Sequence, residues 1–280
     1  MPPQRICFDH NSHRSRTGLG LLLPAICLWL GLATAALAEA PALQRVTLQL
    51  KWKHQFQFAG YYAAIEQGYY REAGLDVKLR EAGVGEDPVD RVLTGQAEYG
   101  VGTSELAVMR AQGRPIVLLA PIYQHSPLVL LVRTRQPGGP EQALSVHDLK
   151  GRHLMIEPQS AQLFAYLKGE GLSPEQLRIS AHTHSIQALI RGEVDGMSAY
   201  ATDEPFLLQQ AKVPFTQLSA RSGGIDFYGD SLFTSEARLR AQPEQVRAFR
   251  AASLKGWEYA LKHPEEIIRL IHSRYSQRHS

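Results

Sequence analysis

Cysteine is nearly missing from this chain of 280 residues: the only two, Cys7 and Cys27, both precede residue 39. Residues 39–280 therefore offer no disulfide, no thiolate nucleophile and no sulfur ligand for zinc or an iron–sulfur cluster. An excess of one charge is missing too. Thirty Lys and Arg stand against 27 Asp and Glu, and no basic run exceeds two residues, which removes the footprint of a nucleic-acid surface. There is no nucleophile elbow, no phosphate-cradling loop and no zincin helix, and Gly83-Val84-Gly85 lacks the glycine spacing of a dinucleotide site. Beyond residue 38 no apolar stretch reaches membrane-spanning length.

What precedes residue 39 reads as a secretory signal peptide over residues 1–38. Arg5, Arg14 and Arg16 lead into the apolar run Gly18 to Leu37, which ends in Ala36-Leu37-Ala38. Pro24 interrupts the run, which argues against a retained anchor. Ile26 before Cys27 is not the small residue of a lipid-attachment site, and the absence of an Arg-Arg pair points to the general export route. Removal takes three Arg and one Asp, so the formal charge falls from +3 to +1. The expected location is the periplasm, and the remaining length can bury a full core without staples.

The stretch from Val46 to Leu79 organises the rest. Val46, Leu48, Leu50 and Trp52 alternate with polar residues as in a strand with one buried face. KHQFQFAG follows as an aromatic turn. From Gly60 the positions Tyr61, Ala64, Ile65 and Tyr69 recur at helical spacing, Gly74 stops the helix, and Leu75, Val77 and Leu79 alternate again. In an open α/β sheet a ligand lies outside the carboxyl ends of the strands, which places it at this turn.

The run LKWKHQFQFAGYYAAIEQGYYREAGLDVKL resembles the opening of the NMT1/THI5-like (SsuA/THI5) family. Its strand ends in an aromatic, its helix starts Gly-Tyr-Tyr, and GYYREAGLDV forms the exit. The resemblance implies an α/β fold of two lobes, the type II periplasmic binding protein or Venus flytrap, with a hinge between the lobes. On this reading the first part of lobe 1 spans residues 41–124, lobe 2 spans 125–221, and residues 222–280 return to lobe 1 as C-terminal helices. LTGQAEYGVGTSE (93–105) and IRGEVDGMSAYAT (190–202) fall in register, Leu93 with Ile190, Gly95 with Gly192 and Glu98 with Asp195. That points to duplicated lobes, although αβ units in general share such features.

Three sets of residues are candidates for a ligand site. In the aromatic turn, Trp52, Phe58 and Tyr61 offer a flat wall, with His54 and Gln57 beside them, while Phe56 and Tyr62 serve a core equally well. At helix starts, Gly102, Thr103 and Ser104 in lobe 1 and Gln159 and Ser160 in lobe 2 present backbone N–H groups and hydroxyls, the same features an ordinary N-cap shows. Among the acids, Glu157, Asp203 after Tyr200, and Asp230 sit where the resemblance places cleft residues, whereas Glu204 reads as a solvated loop acid. Acids beside aromatics suit an amine-bearing or heteroaromatic ligand. His182 and His184 form a possible metal pair without an evident third ligand.

The resemblance thus implies a solute receptor, monomeric, partnered by a membrane permease, and without cofactor, metal or nucleic acid. Its alternative is the periplasmic sensor domain of a histidine kinase or diguanylate cyclase, joined to a membrane signalling domain. An enzyme, a thiamine-pyrimidine synthase, is disfavoured. EYGVGTSELAVMRAQG (98–113) contains neither Lys nor His, and residues 39–280 lack the family's cysteine-rich motif.

Overall fold

A computed structural model describes residues 42–134 and 144–276. The expected signal peptide over residues 1–38 and the expected Gly/Pro-rich connection 136–142 lie outside the described residues. The first sheet begins with β1 (Gln44–Gln49), followed by α1 (Ala59–Glu66), α2 (Tyr69–Glu72) and β2 (Leu75–Arg80). β1 and β2 run parallel with Val46 opposite Val77 and Leu48 opposite Leu79, so their apolar positions share one face. α3 (Pro88–Leu93) starts on Asp87, whose carboxylate accepts from Val89 N, with Pro88 at the first helical position. β3 (Tyr99–Gly102), α4 (Glu105–Ala111) and β4 (Ile116–Pro121) complete the first passage.

The chain then crosses to a second sheet. This holds β5 (Leu128–Arg133), β6 (His153–Ile156), α5 (Ala161–Gly169), β7 (Arg178–Ala181), α6 (Gln187–Arg191), β8 (Gly196–Tyr200), α7 (Glu204–Gln210) and β9 (Phe215–Ser219). It returns with β10 (Ser231–Ser235), α8 (Glu236–Ala241), α9 (Pro243–Lys262) and α10 (Pro264–Arg274). The strand orders are β2-β1-β3-β10-β4 and β7-β6-β8-β5-β9. Each sheet has three parallel strands, then an antiparallel one, then a strand antiparallel to that.

The duplication reaches individual atoms. Glu98 N donates to Thr47 O at 3.1 Å while the Glu98 carboxylate accepts from Thr47 N at 2.6 Å. In the second sheet Asp195 N donates to His153 O at 2.8 Å while the Asp195 carboxylate accepts from His153 N at 2.9 Å. Each acid anchors the strand beside it, satisfying a strand N–H that no backbone partner meets. Gly95 and Gly192 both take φ near +74°, the left-handed conformation that ends the preceding helix without a Cβ penalty.

The lobes differ in what covers them. α9 lies across α1 so closely that a Cβ on Gly256 would fall 2.1 Å from the carbonyl oxygen of Gly60. Around that crossing the first lobe has an aromatic core: Tyr99 stacks on Phe249 at 3.6 Å, and the Tyr70 hydroxyl meets Ser253 Oγ at 2.8 Å. The second lobe is packed mainly by Leu, Val, Ile and Met from its own strands and short helices.

Two edge strands, β7 and β9, lie where the sequence pattern marks no element. Each pairs on one side alone and has no clean inside–outside alternation, so the pattern carries little signal. Among the described residues no helix is long and apolar enough to cross a membrane.

Candidate functional site

The two crossings between sheets run side by side. Ile122 N and Tyr123 N donate to Asp230 O, Gly229 N donates to Tyr123 O, and Ser126 N to Phe227 O. They prolong the β4–β10 ladder, which makes them a short two-stranded bridge. The carboxyl ends of β1, β6 and β8 converge beside it.

From β1 the chain continues through Leu50 to Lys51 and Trp52, both buried against the second lobe. Lys51 Nζ donates to Glu157 Oε2 at 3.0 Å and to the Tyr200 hydroxyl at 3.0 Å, and lies 4.4 Å from the centre of the Tyr200 ring. Tyr200 in turn donates to Asp230 Oδ1 at 2.5 Å, and Gln57 Nε2 donates to Asp230 Oδ2 at 2.7 Å. Glu204 accepts from Tyr200 N at 2.9 Å. Lys51, Glu157, Asp230 and Glu204 are 7%, 6%, 2% and 2% exposed, so three carboxylates and one ammonium share a dry interface.

That charge balance shows in the acids. Burial, then the neighbouring Asp203 carboxylate, pushes Glu204 up to about 8. Burial raises Asp230 as well, against the opposing pull of Lys51 and of its hydrogen bonds from Tyr200 and Gln57. The Tyr200 hydroxyl is held far above its usual value by burial and by the Asp230 and Glu157 charges, so it stays a donor.

Trp52 meets two imidazoles of the other lobe, His184 edge-on at 4.4 Å and His182 at 4.9 Å. His184 N donates to His182 Nδ1 at 2.9 Å, which puts the ring proton on Nε2, 3.1 Å from Ser198 O. Both nitrogens of His182 are therefore engaged within the protein. Among the described residues no group of three or more His, Cys, Asp or Glu is placed to hold a metal ion.

A second set of cross-lobe bonds joins the helix starts. Gln159 Oε1 accepts from Thr103 N at 2.8 Å, the Thr103 hydroxyl donates to Gln159 O at 3.0 Å, and Gln159 Nε2 reaches Asp87 at 2.8 Å. Ala161 N at the start of α5 donates to the Glu105 carboxylate at 2.8 Å. The approach needs Gly102, because a Cβ there would stand 2.9 Å from Gln159 Oε1. Gln159 itself takes φ +60°, an uncommon conformation for a residue with a side chain, held by these bonds.

Two voids lie along the interface. A void of about 10 Å³ touches Lys51, Trp52, Gln57, Glu157, Tyr200 and Glu204. A cavity of about 580 Å³ opens beside it, bounded by Gln55, Phe56 and Gln57 from the first lobe, Tyr123, His125 and Pro127 from the bridge, and Thr202 and Asp203 from the second. Gln55 and Gln57 are common to both.

Against this geometry the expected residues divide. Trp52, Gln57, Glu157, Tyr200 and Asp230 meet at the interface, and Asp203 lines the larger cavity. Gly102 and Thr103 bond to or pack on the other lobe, Ser160 Oγ donates to Glu157 O at 2.8 Å, and Ser104 stands at the start of α4 without a side-chain cap bond. Phe58 and Tyr61, expected to wall a ligand, instead lie inside the first core, where the edge of Tyr61 meets Trp257 of α9. His54 turns away to the Tyr62 hydroxyl, 2.7 Å from its Nδ1, and stands beside Tyr275. Glu204, read as solvated, is among the most buried acids. The 3-10 turn over Phe56–Phe58 rotates Phe58 inward and Phe56 outward, which an alternating pattern does not anticipate.

Sequence reasoning missed Lys51, Tyr123 and the bracing of Trp52 by His182 and His184. Lys51 falls on the polar side of the β1 alternation, and only the arrival of the second lobe buries it. The one available signal was its place next to Trp52, at the end of the first strand.

The family described as NMT1/THI5 like matches residues 55–267. Among curated proteins, the chain is 28% identical over 239 residues to the riboflavin-binding protein RibY of Chloroflexus aurantiacus, covering 82% of this chain and 66% of that protein. It is 23% identical over 256 residues to the formylaminopyrimidine-binding protein of Halalkalibacterium halodurans, covering 89% of this chain and 76% of the other. The chain thus spans just under two thirds of the length of the first relative. Among solved structures, a Candida albicans protein described as having the generic periplasmic binding protein fold superposes with a TM-score of 0.63. That likeness covers 84% of this chain and 78% of the other at 16% identity. The fold is that of the periplasmic binding proteins.

Proposed function

This chain belongs to the NMT1/THI5-like family, and from that premise we propose that it is a receptor that holds a small solute between its lobes. The observation that carries the reading is the cavity of about 580 Å³, within the size range of small-molecule sites and bounded by both lobes and the bridge between them. Phe56 and Tyr123 give it flat apolar surface, and Gln55, Gln57, Thr202 and Asp203 give it polar groups that fix orientation. Beneath it lies an interface with more carboxylates than cations. Aromatic surface with surplus negative charge suits a heteroaromatic solute bearing an amine.

The named ligands of the two curated relatives agree in chemistry, since riboflavin and formylaminopyrimidine both contain a pyrimidine ring. A receptor of this kind works after export, in the periplasm, and passes its solute to a membrane permease. No covalent step is assigned to it. Isothermal titration of the purified protein with riboflavin, formylaminopyrimidine, simple aminopyrimidines and basic amino acids tests the reading. Heat of binding with one of the pyrimidine compounds, reduced at least tenfold in affinity by Asp203→Asn or Tyr123→Ala, is expected. No heat from any of them would sink it.

A further inference from the structure

Lys51 occupies a position that has the features of a ligand site. Its ammonium faces the Glu157 carboxylate and the Tyr200 hydroxyl, each at 3.0 Å, and the Tyr200 ring at 4.4 Å. The partners are held by bonds that do not involve Lys51. Glu157 N donates to Ser198 Oγ at 2.9 Å, Ser160 Oγ donates to Glu157 O, and Asp230 fixes the Tyr200 hydroxyl at 2.5 Å. A preformed carboxylate, a hydroxyl acceptor and an aromatic face are what recognition of a primary ammonium requires.

The two sides come from different lobes. Lys51 is carried by the first, Glu157 and Tyr200 by the second. The adjoining void of about 10 Å³ has room for no more than one water molecule beside the ammonium. Without a cation, Glu157 and Asp230 would be left together with no compensating charge, which buried carboxylates tolerate poorly. We propose that Glu157, Tyr200 and Asp230 form a primary-ammonium site which Lys51 fills from within the chain, and that this tethered cation clamps the two lobes together. An amine from outside enters the site only by displacing Lys51. The inference goes beyond the identity of the solute, because it is tested with no solute present.

Lys51→Ala removes the equivalent of n-propylammonium, so that compound is the probe. Small-angle scattering of the purified Lys51→Ala protein is expected to show a larger radius of gyration than the unsubstituted protein. Its thermal midpoint should also fall. Adding n-propylammonium chloride should restore both values, tetramethylammonium or sodium chloride at equal ionic strength should not, and the unsubstituted protein should respond to none of them. If the variant scatters as the unsubstituted protein does, the clamp is overturned. If it opens and n-propylammonium does not close it again, the ammonium site is overturned. Should Lys51→Ala not fold, its refolding yield becomes the readout. Recovery with n-propylammonium and not with sodium supports the site, and no recovery rejects it. Loss of pyrimidine binding alone would count against the solute reading and leave this result untouched.

Discussion

The two sheets share a strand order, a pair of left-handed glycines and a matched pair of acid anchors, yet they reach stability by different means. The first lobe relies on two long helices at the end of the chain, with backbone pressed against backbone where α9 crosses α1. The second is closed by its own strands and short helices, and it alone contributes Glu204 to the interface. A common scaffold therefore fixes where strand ends converge, while the roof and the buried charges are specific to each side.

Breaking the roof should produce the largest effect. In Gly256→Ala the new methyl would fall 2.1 Å from the Gly60 carbonyl oxygen, and overpacking of that kind costs on the order of 3 kcal/mol. At about 2–4 °C per kcal/mol for a domain of this size, the thermal midpoint should drop by roughly 6–12 °C. A drop under about 2 °C would mean that α9 is not held by that crossing.

The anchors sharpen the comparison. Glu98→Ala and Asp195→Ala each strand one N–H, on Thr47 and His153 respectively. Each should cost about 1–3 kcal/mol in a denaturant titration, and the two costs should agree to within about 1 kcal/mol. Unequal costs would show that the duplicated geometry is not duplicated energetics.

Glu204 separates the lobes by pH. Its folded value is raised from 4.5 to about 8, so the folded state binds more protons than the unfolded chain between those values. The stability this acid contributes is complete below about pH 4.5 and is lost as the pH climbs through about 8. Glu204→Gln should raise the thermal midpoint at pH 9 by a few degrees, leave it nearly unchanged at pH 5, and flatten the profile between. A variant whose profile parallels the unsubstituted one would remove Glu204 as the cause.

The smallest effect should come from Gly169→Ala in α5, where a methyl meets nothing within 4 Å. There the lower entropy of the unfolded chain should stabilise by about 0.5–1 kcal/mol, opposite in sign to the same change at Gly256.

The sequence was most readable where local chemistry dictates structure. Pro243 and Pro264 mark the starts of α9 and α10, and the alternation through Val46 and Leu48 marks β1. The in-register pair 93–105 and 190–202 became β3 and β8 with equivalent flanks. It was least readable where the partner is distant in sequence. Lys51 looks solvated until Glu157 arrives from 106 residues away. Phe58 and Tyr61 have the composition of a ligand wall, but Trp257, far along the chain, draws Tyr61 into a core instead.

The return of the chain to its first lobe sets an order of assembly. Every strand of the second sheet lies between Leu128 and Ser219, so that half is complete once those residues have emerged. The first half must wait for β10 and α9, leaving Tyr70 and Tyr99 without their ring partner Phe249 in the meantime. Contacts that span so much sequence form slowly. During synthesis, the lobe whose strands emerge first is therefore the last to be shielded from aggregation.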